Sequence, residues 1–294
     1  MKEIFKEIKG LKVFKDESLK RYSSFRIGGK ARYLIKVYNQ KALIDTMEVI
    51  KKEGLKYIVI GEGTNILFGD EGFDGVVIKL MGEFRKIKNE KNIFICGGGA
   101  LIKTLLKKCL YSGYGGAEFL AGIPGSIGGA IKGNAGAFGR SISEIIKSIK
   151  LLNSCLKTKV VERDELDFDY RYSNIPDDSI ILAAELILKK MDKKKIKKNI
   201  EKFLKLRWEK QPRGHSAGSF FKNPKPFSAG RLIEECGLKG YRIGDAMVSK
   251  KHANFIINRG RAKAEDVIKL MEIIKKEVKK KTGILLEPEV RIIK

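Results

Sequence analysis

Between Gly116 and Gly139 the chain reads GAEFLAGIPGSIGGAIKGNAGAFG: eight glycines, one proline and only two charged residues, in a protein that is one-third charged. Glycine loses more conformational freedom on folding than any other residue, so such a cluster needs a reason. Two are common: backbone that must turn through positive φ, and N–H groups that must approach a ligand closely. The residues between the glycines are small and apolar (Ala121, Ile123, Ala130, Ile131, Ala135), which predicts a buried segment. A buried, uncharged, glycine-rich segment suits a flat aromatic cofactor or a diphosphate held by main-chain donors. The plain alternative is a set of tight turns in a packed core.

A second glycine loop shifts the balance. Tyr57–Ile60 (YIVI) reads as a short buried strand running directly into GEGTN, residues Gly61–Asn65. A strand that empties into a glycine loop is a good place to bind phosphate. Ile66 and Leu67 follow where an ATP-type loop needs Gly-Lys-Ser/Thr, and the third glycine of a dinucleotide fingerprint is missing.

The rest of the chain bounds the reading. A length of 294 residues allows one large domain or two to three smaller ones. Its 43% hydrophobic content is that of a soluble globular protein. No apolar run approaches the roughly 20 residues of a membrane span. The start, MKEIFKEIKG, carries acids and lacks the apolar core of a signal peptide. Cys96, Cys109, Cys155 and Cys236 show no metal or redox spacing, and His215 and His252 are the only histidines. The expectation is reduced core thiols in a cytoplasmic protein without a metal site. The net charge of +26 raises nucleic-acid binding as a possible function, but Lys189–Asn199 and Lys275–Lys281 interleave no aromatics for base stacking. They read as solvated helix faces.

Periodicity predicts a strand over 32–38, a helix over 40–53 burying Leu43, Met47 and Ile50, and strands over 76–80 and 93–96. A helix over 100–112 should turn Leu101, Leu105, Leu106 and Cys109 inward. A hairpin is expected from 148–153 and 158–162, then a central strand over 179–188. Helices follow over 192–208, with Ile196, Ile200, Phe203, Leu204 and Trp208 in register, over 229–236, and over 264–281, burying Val267, Ile268, Met271, Ile274 and Val278. Strands over 253–258 and 285–293 complete the set, the last interrupted at Pro288. Two further stretches stand out: the polar-aromatic run DFDYRYS (Asp167–Ser173), and GHSAG (Gly214–Gly218), which fits the G-x-S-x-G pattern of a hydrolase nucleophile. Ser216, Asp245 and His252 even follow in hydrolase order. Yet an elbow needs an apolar strand before its serine and a helix after it. Here RWEKQPR precedes, and the prolines of SFFKNPKPF forbid the helix.

Taken together and in order, SSFRIGG (Ser23–Gly29), GEGTN, EFLAGIPGSIGGAIKGNAGAFG (Glu118–Gly139), YRYS (Tyr170–Ser173), GSFFKNP (Gly218–Pro224) and LEPEVR (ending at Arg291) resemble the UDP-N-acetylenolpyruvoylglucosamine reductases. The resemblance spans nearly the whole chain, and its most specific parts are GIPGSIGGA with NAGAFG and GSFFKNP. It implies an α+β FAD-binding fold of the vanillyl-alcohol-oxidase type with a third, α/β substrate-binding subdomain. The implied division is 1–81 joined by 285–294, then 82–206, then 207–284. The short run from GSFFKNP to residue 229 resembles the subtype that lacks a tyrosine-bearing loop.

The resemblance also implies chemistry. FAD, held non-covalently and reduced by NADPH, would pass hydride to an enolpyruvyl ether on a nucleotide sugar. Arg171 matches the arginine that stabilises the resulting enolate, for which a permanent charge is suited. Glu289 matches a carboxyl beside the same carbon. Ser219 matches the proton donor. Cofactor contacts would come from Gly61, Gly63, Thr64, Asn65, Ile66, Gly122, Ile123, Pro124, Gly125, Ser126, Gly128, Gly129, Asn134, Ala135 and Gly136. Substrate contacts would come from Tyr170, Arg207, Lys210, Asn223, His252 and Arg291. A monomer with neither nucleic-acid partner nor membrane insertion is expected.

Overall fold

A computed structural model describes residues 4–294. The first three residues of the acid-bearing N-terminal segment lie outside them. Six α-helices run through the described residues: α1 (Gln40–Lys52), α2 (Ile102–Ser112), α3 (Ile127–Lys132), α4 (Lys193–Lys210), α5 (Ala229–Glu235) and α6 (Ala264–Thr282). The chain divides into two compact units, Met1–Lys15 with Tyr33–Gly61 and Gly75–Leu206, and Asp16–Arg32 with Glu62–Asp74 and Arg207–Lys294.

Two sheets lie wholly or mainly in the first unit. In the four-stranded one the order is Leu11–Ser18, Lys30–Val37, Phe73–Leu80, Tyr57–Ile60. Tyr57–Ile60 runs parallel to Phe73–Leu80, with Ile60 opposite Lys79, and that register aligns the strand that delivers the chain to Gly61. Helix α1 covers this sheet because Leu43, Met47 and Ile50 recur at helical spacing, joined by Ala42 and Thr46. Each large apolar side chain buried this way stabilises the fold by about 1.5–3 kcal/mol. Asn39 starts the helix by accepting from Ala42 N at 2.8 Å, and Gly54 ends it at φ +60°. The second sheet is antiparallel, ordered Thr158–Glu162, Ile146–Leu152, Ile180–Ile187, Ile93–Gly97, Ile87–Glu90. Its apolar face joins α2 and the glycine-rich segment in one core with Phe94, Leu105, Phe119, Ile127 and Ile149.

In the second unit, α6 packs Val267, Leu270, Met271, Ile274 and Val278 into a core with Leu232 and Ile233 of α5 and with Phe25, Phe220 and Phe221. Asp70 caps α6 from far away in sequence: its two carboxylate oxygens accept Ala264 N at 2.9 Å and Glu265 N at 3.0 Å. Arg291–Ile293 pairs in parallel with Ile66–Phe68, which ties the chain terminus to the strand following GEGTN.

Several boundaries differ from the sequence reading, each for a local reason. Leu101 is half-buried and precedes α2, because Ile102 N donates to Gly125 O at 3.1 Å and Leu101 bridges Ser126 in extended conformation. Ile268 is only half-buried, and Leu270 takes the inward position. Trp208 is 57% exposed although it stands in register on α4, whose sole fully buried residue is Ile196. The lysine-rich run at 189–199 is not all helix. Lys189 and Lys190 pair with Gly115 and Tyr114, and Asp192 starts α4 by accepting from Lys195 N at 3.1 Å. The 253–258 strand shrinks to Ile256–Asn258, and the terminal strand to Arg291–Ile293 with an isolated bridge at Pro288. Cys96 and Cys109 are buried thiols, Cys96 pushed up to about 12 by burial and Cys109 higher still. Cys155 is not a core residue; it is exposed in the hairpin turn where Leu156 N donates to Asn153 O.

Candidate active site

Gly61, the first residue of GEGTN, meets the glycine-rich segment in the first unit. A Cβ built on Gly61 would stand 2.4 Å from Ser126 Oγ, so the end of the YIVI strand lies directly against the start of α3. Ser126 caps that helix, accepting from Gly129 N at 3.3 Å. Beside it Gly122 and Gly125 adopt φ +77° and +148°, conformations that favour glycine. Gly128 packs on Gly98, donating to its carbonyl at 2.8 Å. Lys79, buried, donates to Gly61 O at 2.6 Å. The sequence reading passed over this lysine; its signal was a lone cation closing the apolar run VVI.

The DFDYRYS run is a tight hairpin, Phe168–Asp169 against Tyr172–Ser173, with Arg171 at its tip in left-handed backbone, φ +56°. The glycine-rich segment holds it in place. Asn134 Nδ2 donates to Asp169 O at 2.9 Å, Ser173 Oγ donates to Lys132 O at 2.8 Å, and Arg171 Nη2 donates to Gly136 O at 3.2 Å. Lys132 adds an ion pair to Asp177 at 2.9 Å. The guanidinium of Arg171 also sits over the Tyr170 ring, 5.3 Å from its centroid. Asn134 is buried at φ +40°, with its side-chain amide engaged by the hairpin. Left-handed backbone at a non-glycine residue is costly, and here a set of specific bonds maintains it.

In the second unit Gly63, Thr64, Asn65 and Ile66 lie beside the terminal segment. Asn65 Nδ2 donates to Glu289 O at 3.0 Å, and Arg291 N donates to Asn65 O at 3.1 Å. Glu289 N in turn donates to Phe220 O at 2.8 Å, the residue following Ser219. Ser219 bridges Phe255, and Phe221 bridges Pro288. Asn65, Ser219 and Glu289 therefore share one patch of backbone. The other residues expected at the substrate divide. Asn223 Oδ1 accepts from Ala229 N at 3.0 Å at the start of α5, and Arg207 Nη1 donates to Gln211 Oε1 at 3.3 Å. Lys210 and Arg291 are exposed. His252 is half-buried beside Gly230, Arg231, Glu234 and Lys251, around a cavity of about 150 Å³. Its Nδ1 accepts from Asn254 N at 3.2 Å. Burial, and then the charge of Lys239, hold its pKa below the ordinary imidazole value.

The hydrolase arrangement does not form. Asp245 is committed to Arg242 and to Arg261 N, the latter at 2.9 Å, and none of Ser216, Asp245 and His252 hydrogen-bonds another. No helix follows Ser216 until Ala229. Among the described residues no group of histidine, cysteine, aspartate and glutamate is arranged to hold a metal ion, and no helix is long and apolar enough to cross a membrane.

The residues present fit FAD. Main-chain donors without a protein acceptor are what a diphosphate requires. Among the described residues the amides of Gly122, Gly125 and Ser126 in the first unit, and of Gly63 and Asn65 in the second, donate to no protein acceptor. Residues 31–156 match the family described as an FAD binding domain, so the class is that of the FAD-binding flavoproteins, with the α+β fold the resemblance implied. Residues 210–293 match the UDP-N-acetylenolpyruvoylglucosamine reductase C-terminal domain. Over 99% of this chain and 94% of its own length, the UDP-N-acetylenolpyruvoylglucosamine reductase of Caldicellulosiruptor bescii is 40% identical. That of Syntrophus aciditrophicus is 40% identical over 100% and 96%. The crystal structure of the Thermus caldophilus reductase superposes with a TM-score of 0.83 at 34% identity, covering 97% of this chain and 99% of that one. The chain belongs to the UDP-N-acetylenolpyruvoylglucosamine reductase family.

Proposed function

We propose that this chain catalyses the NADPH-dependent reduction of the enolpyruvyl ether of UDP-N-acetylglucosamine enolpyruvate to UDP-N-acetylmuramate, a step in peptidoglycan precursor synthesis. The observation that carries the site assignment is the return of the chain terminus. Glu289 N reaches Phe220 O at 2.8 Å while Asn65 reaches Glu289 O at 3.0 Å. The backbone of Ser219 and Glu289, two residues suited to proton chemistry, thereby runs beside Asn65 of the GEGTN loop.

FAD, when bound, supplies hydride drawn from NADPH. Gly61, Gly63, Thr64, Asn65, Ile66, the segment 122–129 and residues 134–136 would hold it, non-covalently. Arg171 binds the substrate's carboxylate and stabilises the negative charge that hydride addition leaves on the adjacent carbon and that carboxylate. Its permanent charge needs no proton bookkeeping, and the pinned hairpin holds it ready in advance. Ser219 Oγ delivers a proton to that carbon, and Glu289 polarises the same centre. Tyr170, Arg207, Lys210, Asn223, His252 and Arg291 are assigned to the nucleotide sugar. The three-part division at 82 and 207 draws support from three separate hydrophobic clusters, built mainly from residues before 85, from 87 to 204, and from 217 onward. The reading takes the protein as a cytoplasmic monomer with no nucleic-acid partner.

The deciding measurement is simple. Purified protein, with FAD added back if needed, should show a bound-flavin spectrum and oxidise NADPH only when the enolpyruvyl nucleotide sugar is present. Protein that takes up no flavin would overturn the proposal.

A further inference from the structure

The loop Ser23–Gly29 contributes no group to the chemistry above, yet its second residue reaches two parts of the site at once. Ser24 N donates to Gly63 O at 3.0 Å. Its hydroxyl lies 3.3 Å from the same carbonyl but only 2.7 Å from Ser216 O, across 192 residues of chain. A serine hydroxyl has a single proton to donate. Gly63 O already takes the Ser24 amide, so the shorter contact to Ser216 O claims the hydroxyl. An ordinary turn serine bonds its own neighbours. Ser23 does so in part, its Oγ accepting from Phe25 N at 3.2 Å while lying 3.4 Å from Ile66 O; the Ser24 hydroxyl makes its contacts only with distant residues.

We propose that Ser24 is a positioning residue for proton delivery: its amide fixes the GEGTN loop, and its hydroxyl fixes the loop that carries Ser219. This rests on the assignment of Ser219 as proton donor. The segment it grips is flanked by Gly214 at φ +121° and Gly218 at φ +80°, two points where the backbone turns freely. Between them Ser24 makes the only side-chain hydrogen bond to residues 214–218 among the described residues. The opposite side is held by backbone alone, His215 O accepting Asn258 N at 2.8 Å and Ser219 bridging Phe255. The two gripped loops are neighbours in their own right, since a Cβ on Gly218 would lie 4.0 Å from Thr64 O. Phe25, the next residue, is fully buried against Phe220 and Phe221, and its carbonyl accepts from Asn258 Nδ2 at 3.0 Å, so the position of Ser24 is itself fixed.

The test uses flavin-loaded protein carrying Ser24→Ala, Ser24→Thr, Ser219→Ala and the double Ser24→Ala/Ser219→Ala. In Ser24→Ala, flavin content and reduction by NADPH should stay within about twofold of wild type. Reoxidation by the enolpyruvyl substrate should slow about tenfold or more, since a 1 Å misplacement can cost 10²-fold. Ser24→Thr keeps the hydroxyl and should recover the rate. In the Ser219→Ala background, Ser24→Ala should add less than about twofold, because the group it positions is already gone. Amide hydrogen exchange over 214–219 should rise in Ser24→Ala and not in Ser24→Thr. If Ser24→Ala fails to fold, Ser24→Val against its isostere Ser24→Thr carries the same comparison. Equal slowing in both backgrounds, or wild-type rates in Ser24→Ala, overturns the proposal. A fast Ser219→Ala overturns the proton-donor assignment, and the proposal falls with it.

Discussion

Replacing Gly61 with alanine tests whether the two glycine loops are packed as closely as the structure has them. The new Cβ would lie 2.4 Å from Ser126 Oγ and 3.3 Å from Ser126 Cβ. Ordinary carbon contacts begin near 3.5 Å, so the overlap with the hydroxyl is about 1 Å. Gly61 is not in left-handed backbone, so space alone decides the outcome. The hydroxyl has little freedom, because it caps α3 through Gly129 N at 3.3 Å. If it rotates away, the cap is lost at about 1 kcal/mol; if it stays, overpacking costs about 1–3 kcal/mol. Either route should destabilise the protein by about 1–3 kcal/mol, read as a lower denaturation midpoint with an unchanged m-value. FAD binding should weaken about tenfold if some 1.4 kcal/mol of that strain bears on the cofactor loops. The decisive variant is Gly61→Ala/Ser126→Gly. Glycine at an N-cap costs only a few tenths of a kcal/mol and removes both clashing atoms. The double variant should therefore match Ser126→Gly alone, with a coupling energy of about 1–2 kcal/mol in the cycle. Additive effects, or a Gly61→Ala protein indistinguishable from wild type, would refute the packing of the two loops.

The remaining expectations concern roles. Arg171→Ala should abolish turnover yet spare FAD binding and reduction by NADPH, since its guanidinium acts only on the enolpyruvyl substrate; stopped-flow measurement of both half-reactions checks this. Ser219→Ala should lose about 10²–10⁴-fold in reoxidation by substrate, whereas Ser216→Ala, with only its carbonyl engaged by Ser24, should stay near wild type. His252 should make the protein acid-sensitive. Its pKa in the folded state lies below the unfolded value, so the unfolded state binds the proton first. Stability then falls as pH drops through about 6.5 and on towards the folded value, and is fully present above that window. His252→Gln should flatten this slope in denaturation series across that window.

Much of the fold was legible in the sequence because local chemistry decides it. The spacing of Leu43, Met47 and Ile50 makes α1 amphipathic, and YIVI before Gly61 is a strand because short apolar runs bounded by glycine have few other options. The glycine segment announced itself by composition, since only close backbone approach or positive φ explains so many glycines together. The motif YRYS, GSFFKNP and the terminal glutamate were visible as text. What their order along the chain does not contain is adjacency. That Asn134 and Ser173 clamp the Arg171 hairpin onto the glycine segment depends on contacts between residues about forty positions apart. Trp208 shows the converse: helical register placed it on an apolar face, yet the tryptophan stands 57% exposed. Lys79 escaped notice because a lysine after a short apolar run is ordinarily solvated. Only the parallel register of its strand with Tyr57–Ile60 turns it beneath Gly61. Ser24 is the extreme case, an unremarkable serine in sequence whose bond to Ser216 spans 192 residues. Periodicity and composition are properties of neighbours in the chain, and they determined the elements and the two cofactor loops. Which side chains share a hydrogen bond is a property of closure, and tertiary structure alone decided it.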